Sequence, residues 1–242
     1  MARAGAFLFA SVMSVLVTSA AGADRAADIA EIHLAAMGGA THVRALGALR
    51  IKGSVITTGG QTPFTLLAVR PNRVRMETQM GGRILIRASD GVAPPWKLDP
   101  ATSPAAAAMP PAAAELFLFD ADFDDPLVAW QDRGYRLELG TGKDVRGRRL
   151  LQVLVVRSLT QNITVLLDPL TYLIAYRVQQ LTAGPQPVEL VSRYDDYRPV
   201  AGVLVPHEVT LFVDGELSQR ATFDTVEANP PLPKDTFSLS RS

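Results

Sequence analysis

Turn-forming residues recur at short intervals along most of this sequence, and the runs between them have the length of β-strands. Gly, Pro, Asn and Asp mark these turns, for example at residues 58–60, 70–72 and 90–91. Between the turns, apolar and polar residues alternate with a period of two, which is typical of strands with one buried face. The pattern predicts about eleven strands in sequential antiparallel order, and a sheet of that size curls into a barrel or half-barrel.

The segment at residues 150–156, LLQVLVV, is apolar on both of its alternating faces. Both faces of such a strand need cover, and the few short helices that the sequence predicts leave part of a concave face uncovered. One interpretation is a cavity for an apolar ligand. Acyl chains suit such a cavity because each buried CH₂ contributes roughly 0.8 kcal/mol without a directional partner. The alternative is a barrel that closes on its own side chains.

The N-terminus has the three parts of a secretory signal peptide. Arg3 supplies a positive charge, residues 6–17 an apolar core and residues 21–23 a small-residue cleavage motif. We therefore expect a periplasmic protein whose signal peptide, residues 1–23, is cleaved after Ala23, leaving a single domain at residues 24–242. The chain has no cysteine, which excludes disulfides and thiolate chemistry, and its 24 basic residues balance 24 acidic ones. This neutral balance gives no reason to expect a nucleic-acid partner.

Helical periodicity is predicted in the first part of the mature chain and again near its middle. Residues 29–37 place apolar side chains on one helix face, and a second short helix begins at Thr41. Residues 99–114 are predicted to form a Pro/Ala-rich loop, because repeated proline blocks both helix continuation and sheet pairing. A helical pattern follows around Leu116, and a short helix is expected from Asp125 to Gly134.

Large apolar residues around this loop are candidates for an apolar cavity or its lid, and each also suits an ordinary core. They are Trp96, Phe117, Phe119, Phe123, Leu127 and Trp130.

Asp195, Asp196 and His207 lie within a short stretch and would be the residues of a hydrolase site. Strand alternation over residues 191–198 points the two aspartates to opposite faces, and His207 falls in a row of valines, which favours packing. The nucleophile-elbow, zinc-helix, phosphate-loop and dinucleotide motifs are missing from the sequence. We therefore expect no enzymatic activity and no cofactor.

No metal site is expected either. Residues 120–126, DADFDDP, start like a calcium loop but lack its glycine and its final glutamate, so helix-capping carboxylates are the favoured interpretation. His33 and His42 do not have the spacing that aims two imidazoles at one metal, and each is interpreted as a packed or capping histidine.

Five arginines crowd three neighbouring predicted strands; they are Arg70, Arg73, Arg75, Arg83 and Arg87. Such a group can hold an anionic headgroup. More often it is a solvated outer face.

Six segments stand in a characteristic order along the mature chain. They are IHLAAMGGATHVRALGALRIKGSV, VRPNRVRME, ASDG with PPW, DPLTYLIAYRV, YDDYRPVAGVLVPHEV and VEANPPLPKDTF. Together they resemble the exported outer-membrane lipoprotein-sorting protein family, relatives of the periplasmic lipoprotein carrier LolA. The resemblance implies a mainly β (α+β) fold, an open antiparallel half-barrel of about eleven strands with short helices covering its concave apolar face. It also implies a cavity that accepts lipid acyl chains.

We expect from this a protein that binds lipid or lipoprotein acyl chains, makes transient contact with membranes and does not bind nucleic acid. The alternative is an envelope-stress sensor or protein-interaction module on the same fold. It would bind an envelope protein partner across a strand edge or across the arginines.

Overall fold

The computed structural model describes residues 16–118, 121–158, 161–181 and 186–238, with side chains from residue 22 onward. The described helices are α1 (Leu16–Ala36), α2 (Gly39–Ala45) and α3 (Pro111–Leu118). The strands of the first half are β1 (Ala48–Thr57), β2 (Gly60–Val69), β3 (Arg73–Met80), β4 (Arg83–Ser89), β5 (Trp96–Leu98) and β6 (Ala107–Ala108). Those of the second half are β7 (Arg136–Leu139), β8 (Lys143–Val145), β9 (Arg148–Val156), β10 (Asn162–Leu167), β11 (Ile174–Leu181), β12 (Val188–Val200), β13 (Val203–Val213) and β14 (Glu216–Ala228).

The strands form one open antiparallel sheet, in the order β6-β5-β4-β3-β2-β1-β14-β13-β12-β11-β10-β9-β7, with β8 paired to β9. The predicted half-barrel is therefore confirmed. The described sheet has fourteen strands, more than the eleven or so predicted. Three of these strands, β5, β6 and β8, have only two or three residues, which is too short for an alternating pattern to reveal.

This sheet consists of two meanders, the first formed by β1–β6 and the second by β7–β14. They are joined in the middle of the sheet, where β1 pairs with β14. The register of this pair shifts between Lys52 and Gly53. A side chain at Gly53 would overlap the carbonyl oxygen of Thr222, so only glycine fits at this position. The closest backbone approach in the pair thus falls at its bulge.

The three helices do not contribute equally to the core. Ala26 and Ala30 of α1 pack against Leu137, Val153 and neighbouring apolar residues of β7, β9 and β10. This contact covers one of the two apolar faces of β9. The junction of α1 and α2 rests on the turn between β12 and β13, where the N–H of Leu204 donates to the carbonyl of Met37 at 2.9 Å. No helix within the described ranges is long and apolar enough to cross a membrane.

Two expectations for the middle of the chain were wrong. Helix α3 begins at Pro111, inside the segment predicted as a loop, because proline is well tolerated in the first turn of a helix. Residues 125–134 form successive turns rather than a helix. The carboxylate of Asp125 accepts hydrogen bonds from the N–H groups of Leu127 and Val128 as a cap would, but the turns that follow do not continue into regular helix.

Residues 229–238, the C-terminal strap, follow β14 and pack on the convex face of the first meander. The indole N–H of Trp96 donates to the carbonyl of Phe237 at 3.0 Å, and Arg75 donates to that of Thr236 at 3.2 Å. Val74, beside Arg75 on β3, points to the opposite, concave face. The strap therefore leaves the concave face free.

Candidate ligand-binding cavity

A cavity of about 640 Å³ lies on the concave side of the half-barrel. Its wall includes β1, β2, β13 and β14. Ile51, Val55 and Phe64 of this wall form a buried cluster. Phe64 meets Phe223 of β14 edge to face, with ring centroids 6.0 Å apart. Since strand side chains alternate between faces, the apolar residues of one parity on each strand create a continuous apolar surface.

The cover of the cavity comes from α3 and from the turns that follow it. Leu116 and Phe117 of α3 and Phe123 and Val128 of the turns all line the cavity. None of the residues of α3 is buried, and Leu116 is 48% exposed. The α3 part of this cover is therefore held by few apolar contacts, which is the property expected of a segment that opens at low cost.

A buried histidine and an aspartate close one side of the cavity. His33 of α1 is fully buried, and its Nδ1 lies 2.7 Å from the carbonyl oxygen of Tyr172. Its Nε2 lies 3.2 Å from Oδ2 of Asp125. Both neighbours accept hydrogen bonds, so both ring nitrogens carry protons and the ring is an imidazolium beside a carboxylate.

The pKa values of this pair are shifted toward the charged forms. Burial acts to lower the pKa of His33, but the charge of Asp125 and the hydrogen bonds to Asp125 and Tyr172 together outweigh it and raise the pKa. Burial likewise acts to raise the pKa of Asp125. The charge and hydrogen bond of His33 and the hydrogen bonds from the N–H groups of Leu127 and Val128 outweigh the effect of burial, so the pKa of Asp125 is lowered. The packed histidine predicted at position 33 is confirmed, and it joins α1 to the turns covering the cavity.

Two tyrosines of β12, Tyr194 and Tyr197, line the cavity near this pair. The alternation assumed for residues 191–198 implies opposite faces for these two tyrosines, and the structure departs from it. Asp196 between them has a φ of 54°, so its side chain turns outward to pair with Arg198 while Tyr197 turns inward. The hydroxyl of Tyr197 donates to the carbonyl of Ile174 at 2.9 Å. Burial, with a smaller contribution from the Asp125 charge, raises the pKa of Tyr197.

Asp195, Asp196 and His207 do not share a site. Asp195 pairs with Arg193 at 2.6 Å, and Asp196 is exposed beside Arg198. His207 is buried, its Nδ1 lies 2.9 Å from the carbonyl oxygen of Val205, and its ring packs near Phe223. The packing interpretation of His207 is confirmed.

Within the described residues, three acidic side chains line the cavity, and each is paired with a cation. The pairs are Asp122 with Arg133 at 3.0 Å, Asp124 with Arg70 at 2.5 Å and Asp125 with His33 at 3.2 Å. Arg70 also donates to the carbonyls of Val43 and Arg44 and lies 5.0 Å from the ring of Phe123. In the described parts of the chain, no group of three or more His, Asp or Glu side chains is arranged to hold a metal ion.

Two further cations line the cavity on neighbouring strands. Arg87 of β4 stands directly opposite Lys97 of β5 in the ladder, and both side chains point to the concave face. The guanidinium of Arg87 lies 5.7 Å from the ring of Phe117. Burial lowers the pKa of Arg87.

The apolar residues proposed from sequence fall in different places. Phe117 and Phe123 line the cavity. Leu127 is buried in the cluster beneath α1, and Trp130 packs against that cluster. Trp96 lies under the C-terminal strap on the convex face. Phe119 lies outside the described residues, and a ligand-binding role for any of these side chains stays a prediction.

Sequence reasoning missed His33 with Asp125, both tyrosines of β12 and Lys97 as cavity residues. It named Arg87 among five arginines that could hold an anionic headgroup, but favoured a solvated outer face, whereas Arg87 lines the cavity. His33 and Asp125 are 92 positions apart, and no local pattern connects them. For Arg87 the alternation on β4 was misleading, because its parity also holds Arg83 and Ser89 and is the more polar of the two.

Comparison with known proteins gives matches in structure alone. No protein-family model matches the sequence, and no curated protein sequence does. A domain named for outer membrane lipoprotein sorting, from Vibrio parahaemolyticus, superposes with a TM-score of 0.58 at 13% identity, covering 89% of this chain and 97% of its own. The chain has a LolA-like fold.

Two other solved structures give the same result. A LolA superfamily protein from Nitrosomonas europaea has a TM-score of 0.56 at 11% identity, covering 88% of this chain and 97% of its own. A DUF1329 family protein from Desulfovibrio piger has a TM-score of 0.60 at 10% identity, covering 90% of this chain and 97% of its own. The resemblance predicted from sequence is thus confirmed for the fold. At these identities the LolA-like architecture is shared, and function has to be argued from the cavity.

Proposed function

We propose that this protein binds lipid acyl chains, free or as part of a lipoprotein, in the concave cavity and acts as a non-catalytic carrier. The observation that carries the proposal is an apolar cavity of about 640 Å³ beneath a helix with no buried residue. That volume lies in the usual range of ligand sites, roughly 300 to 1,000 Å³. An acyl chain entering it gains stability by removing CH₂ groups from water without requiring directional partners.

The similar structures support the same proposal. One of them is named for outer membrane lipoprotein sorting. We extend to this chain the corresponding place of action, the periplasm, reached through a signal peptide cleaved after Ala23. The mature protein, residues 24–242, would then act as one lipid-binding domain. An intact mass equal to that of residues 24–242 for protein recovered from the periplasm tests this part of the proposal.

Binding is tested by extracting the purified protein with organic solvent and identifying released lipids by mass spectrometry. A matched pair of variants makes the test specific. Ala68→Trp fills the cavity from its lining, whereas Ile84→Trp adds the same ring to an exposed position on β4 that does not line it. We expect lipid to be lost from the first variant and kept by the second.

Equal lipid content in both variants, or none in the wild type, would contradict the proposal. A protein partner retained at fixed stoichiometry by lipid-free protein would instead favour the interaction module.

A further inference from the structure

The cavity is apolar over most of its surface, yet two of its cations have no anionic counterpart among the residues that the structure describes. The acidic residues described in its lining, Asp122, Asp124 and Asp125, are engaged by Arg133, Arg70 and His33. Arg177, a further arginine of the lining, is engaged in an interaction of its own. Within the described residues, neither Arg87 nor Lys97 has a carboxylate within 4 Å. The end of the cavity at β4 and β5 therefore carries uncompensated positive charge.

The surroundings of Arg87 make this charge costly. Its Nε is buried and, across the part of the chain that the structure describes, has no hydrogen-bond partner. One terminal nitrogen contacts the sulfur of Met76 at 3.3 Å, and the ring of Phe117 lies on another side. Sulfur is a weak acceptor, and an aromatic face compensates only part of the lost hydration of a guanidinium. A buried donor without a partner is destabilising unless something else satisfies it.

Lys97 adds a second positive charge beside Arg87. The ladder places it directly across from Arg87, and like charges in that arrangement repel each other. An anion between the two side chains would satisfy the free donors of the guanidinium and relieve the repulsion at once. Arginine suits this role because its planar donors match carboxylate and phosphate oxygens.

We propose that the cavity selects amphiphiles with an anionic group, a carboxylate or a phosphate, which binds Arg87 and Lys97 while the hydrocarbon chain lies against β1, β2 and β14. The inference rests on the proposed function and adds to it the polarity of the ligand and its orientation. The end of the ligand's hydrocarbon chain points toward Phe64 and Phe223, and its charged group lies beneath Phe117 of α3.

Calorimetric titration of the delipidated full-length mature protein with dodecanoate, dodecyl phosphate and dodecanol tests this, because the three share one chain and differ in the headgroup. We expect one or both anions to bind at least about tenfold more tightly than dodecanol, the effect of a charge-assisted hydrogen bond in a buried site. Whichever anion binds more tightly identifies the headgroup.

The variant Arg87→Met keeps an unbranched side chain that reaches about as far as Nε, and removes the guanidinium with its charge. It should lose about tenfold in affinity for the preferred anion and less than twofold for dodecanol. Arg87→Lys should recover part of the loss, since the charge returns without the fork of donors. The matched control is Arg83→Met, which removes a charge from the exposed start of the same strand and should bind all three ligands as the wild type does.

The melting temperature of the ligand-free variant distinguishes a loss of binding from a folding defect. Because Arg87→Met removes a buried donor that lacks a partner, the ligand-free variant should melt at the same temperature as the wild type or higher. Equal affinity for dodecanol and both anions, or equal losses in Arg87→Met for all three, would overturn the inference and leave acyl-chain binding intact. Tight binding of inorganic phosphate alone, without the chain, would overturn it too. Failure of all three amphiphiles to bind would overturn the proposed function itself.

Discussion

The imidazole of His33 donates one hydrogen bond to the carboxylate of Asp125 and a second to the main-chain carbonyl of Tyr172, so a single buried ring connects α1 to two distant turns. Both of its nitrogens face acceptors, which requires the protonated ring. The charge state of one side chain thereby determines how firmly part of the cavity's cover is held.

Stability should depend on pH through this pair. The raised pKa of His33 means that its contribution is fully present below the ordinary value of 6.5 and is lost as pH rises through the folded-state pKa. The lowered pKa of Asp125 means that its contribution is present above 3.8 and is lost as pH falls through its folded-state pKa. We therefore expect the pair to stabilise most between these two values, measured as the free energy of urea unfolding at several pH values.

Replacing the ring removes this dependence. His33→Ala leaves a half-buried carboxylate without its cation, and we expect a loss of about 3 kcal/mol at pH 5.5 that becomes smaller at pH 9. His42→Ala is the control, because that ring is exposed and its Nδ1 bonds only the nearby Gly38 carbonyl. A loss for His33→Ala that is the same at both pH values would contradict the charged state assigned to His33.

The β1–β14 bulge should not tolerate a side chain at Gly53. The added methyl group of Gly53→Ala would overlap the Thr222 carbonyl, and the backbone shift needed to relieve this costs about 2 kcal/mol. Gly59→Ala, in the turn after β1, is the matched control because its nearest neighbour beyond the adjacent residues lies at 3.5 Å. Chemical denaturation should give a lower midpoint for Gly53→Ala than for Gly59→Ala. Similar midpoints would show that the β1–β14 ladder accommodates the added methyl group at little cost.

Tyr197 should remain a neutral hydrogen-bond donor when exposed phenols ionise. Burial raises its pKa, so the folded protein should show no contribution from Tyr197 to the phenolate absorbance at pH 10.5. The wild type and Tyr197→Phe should therefore give equal absorbance at 295 nm while folded, and differ by one phenolate once unfolded. The variant should also lose about 1 kcal/mol of stability, the effect of one hydrogen bond. A difference of one phenolate between the folded proteins would refute the burial of this hydroxyl.

Trp96 reports on the strap and not on the cavity. Truncation after Asn229 removes the carbonyl that its indole bonds and exposes the ring, so the tryptophan emission should shift to the red. The chain has two tryptophans, and repeating the truncation in Trp96→Phe assigns the shift. Because the strap lies on the convex face, the affinity for dodecanoate should change less than twofold. A loss of binding on truncation would mean that the two faces are coupled.

Much of the fold could be predicted because its determinants are local. Turns at residues 58–60 and 90–91 and the alternation between them are readable one strand at a time. The short strands β5, β6 and β8 could not be predicted, since their pairing is imposed by neighbours. The turns after Asp125 were misread as a helix because a proline and a cap also begin turns that never become regular.

The residues of the cavity were harder to predict from the sequence than the strands were. Its apolar wall follows from strand alternation, but one residue, Asp196 at a φ of 54°, turns Tyr197 inward against that pattern. The contacts of His33 and Arg87 depend on which strands and turns come to face each other across the half-barrel. Such information is carried by the tertiary structure and by no single segment.

The pairing of β1 with β14 sets the order in which this protein can assemble. β1 ends at residue 57 and β14 begins at residue 216, so the ladder that joins the two meanders forms only after almost all of the chain is available. Until then the first meander presents β1 as a bare edge, with Leu49 and Ile51 beside unsatisfied backbone groups. Loop closure over such a separation is slow, and an exposed edge of this kind is a site for aggregation. A nascent chain of this protein therefore exposes the edge of β1 to pairing with other chains until β14 has been made.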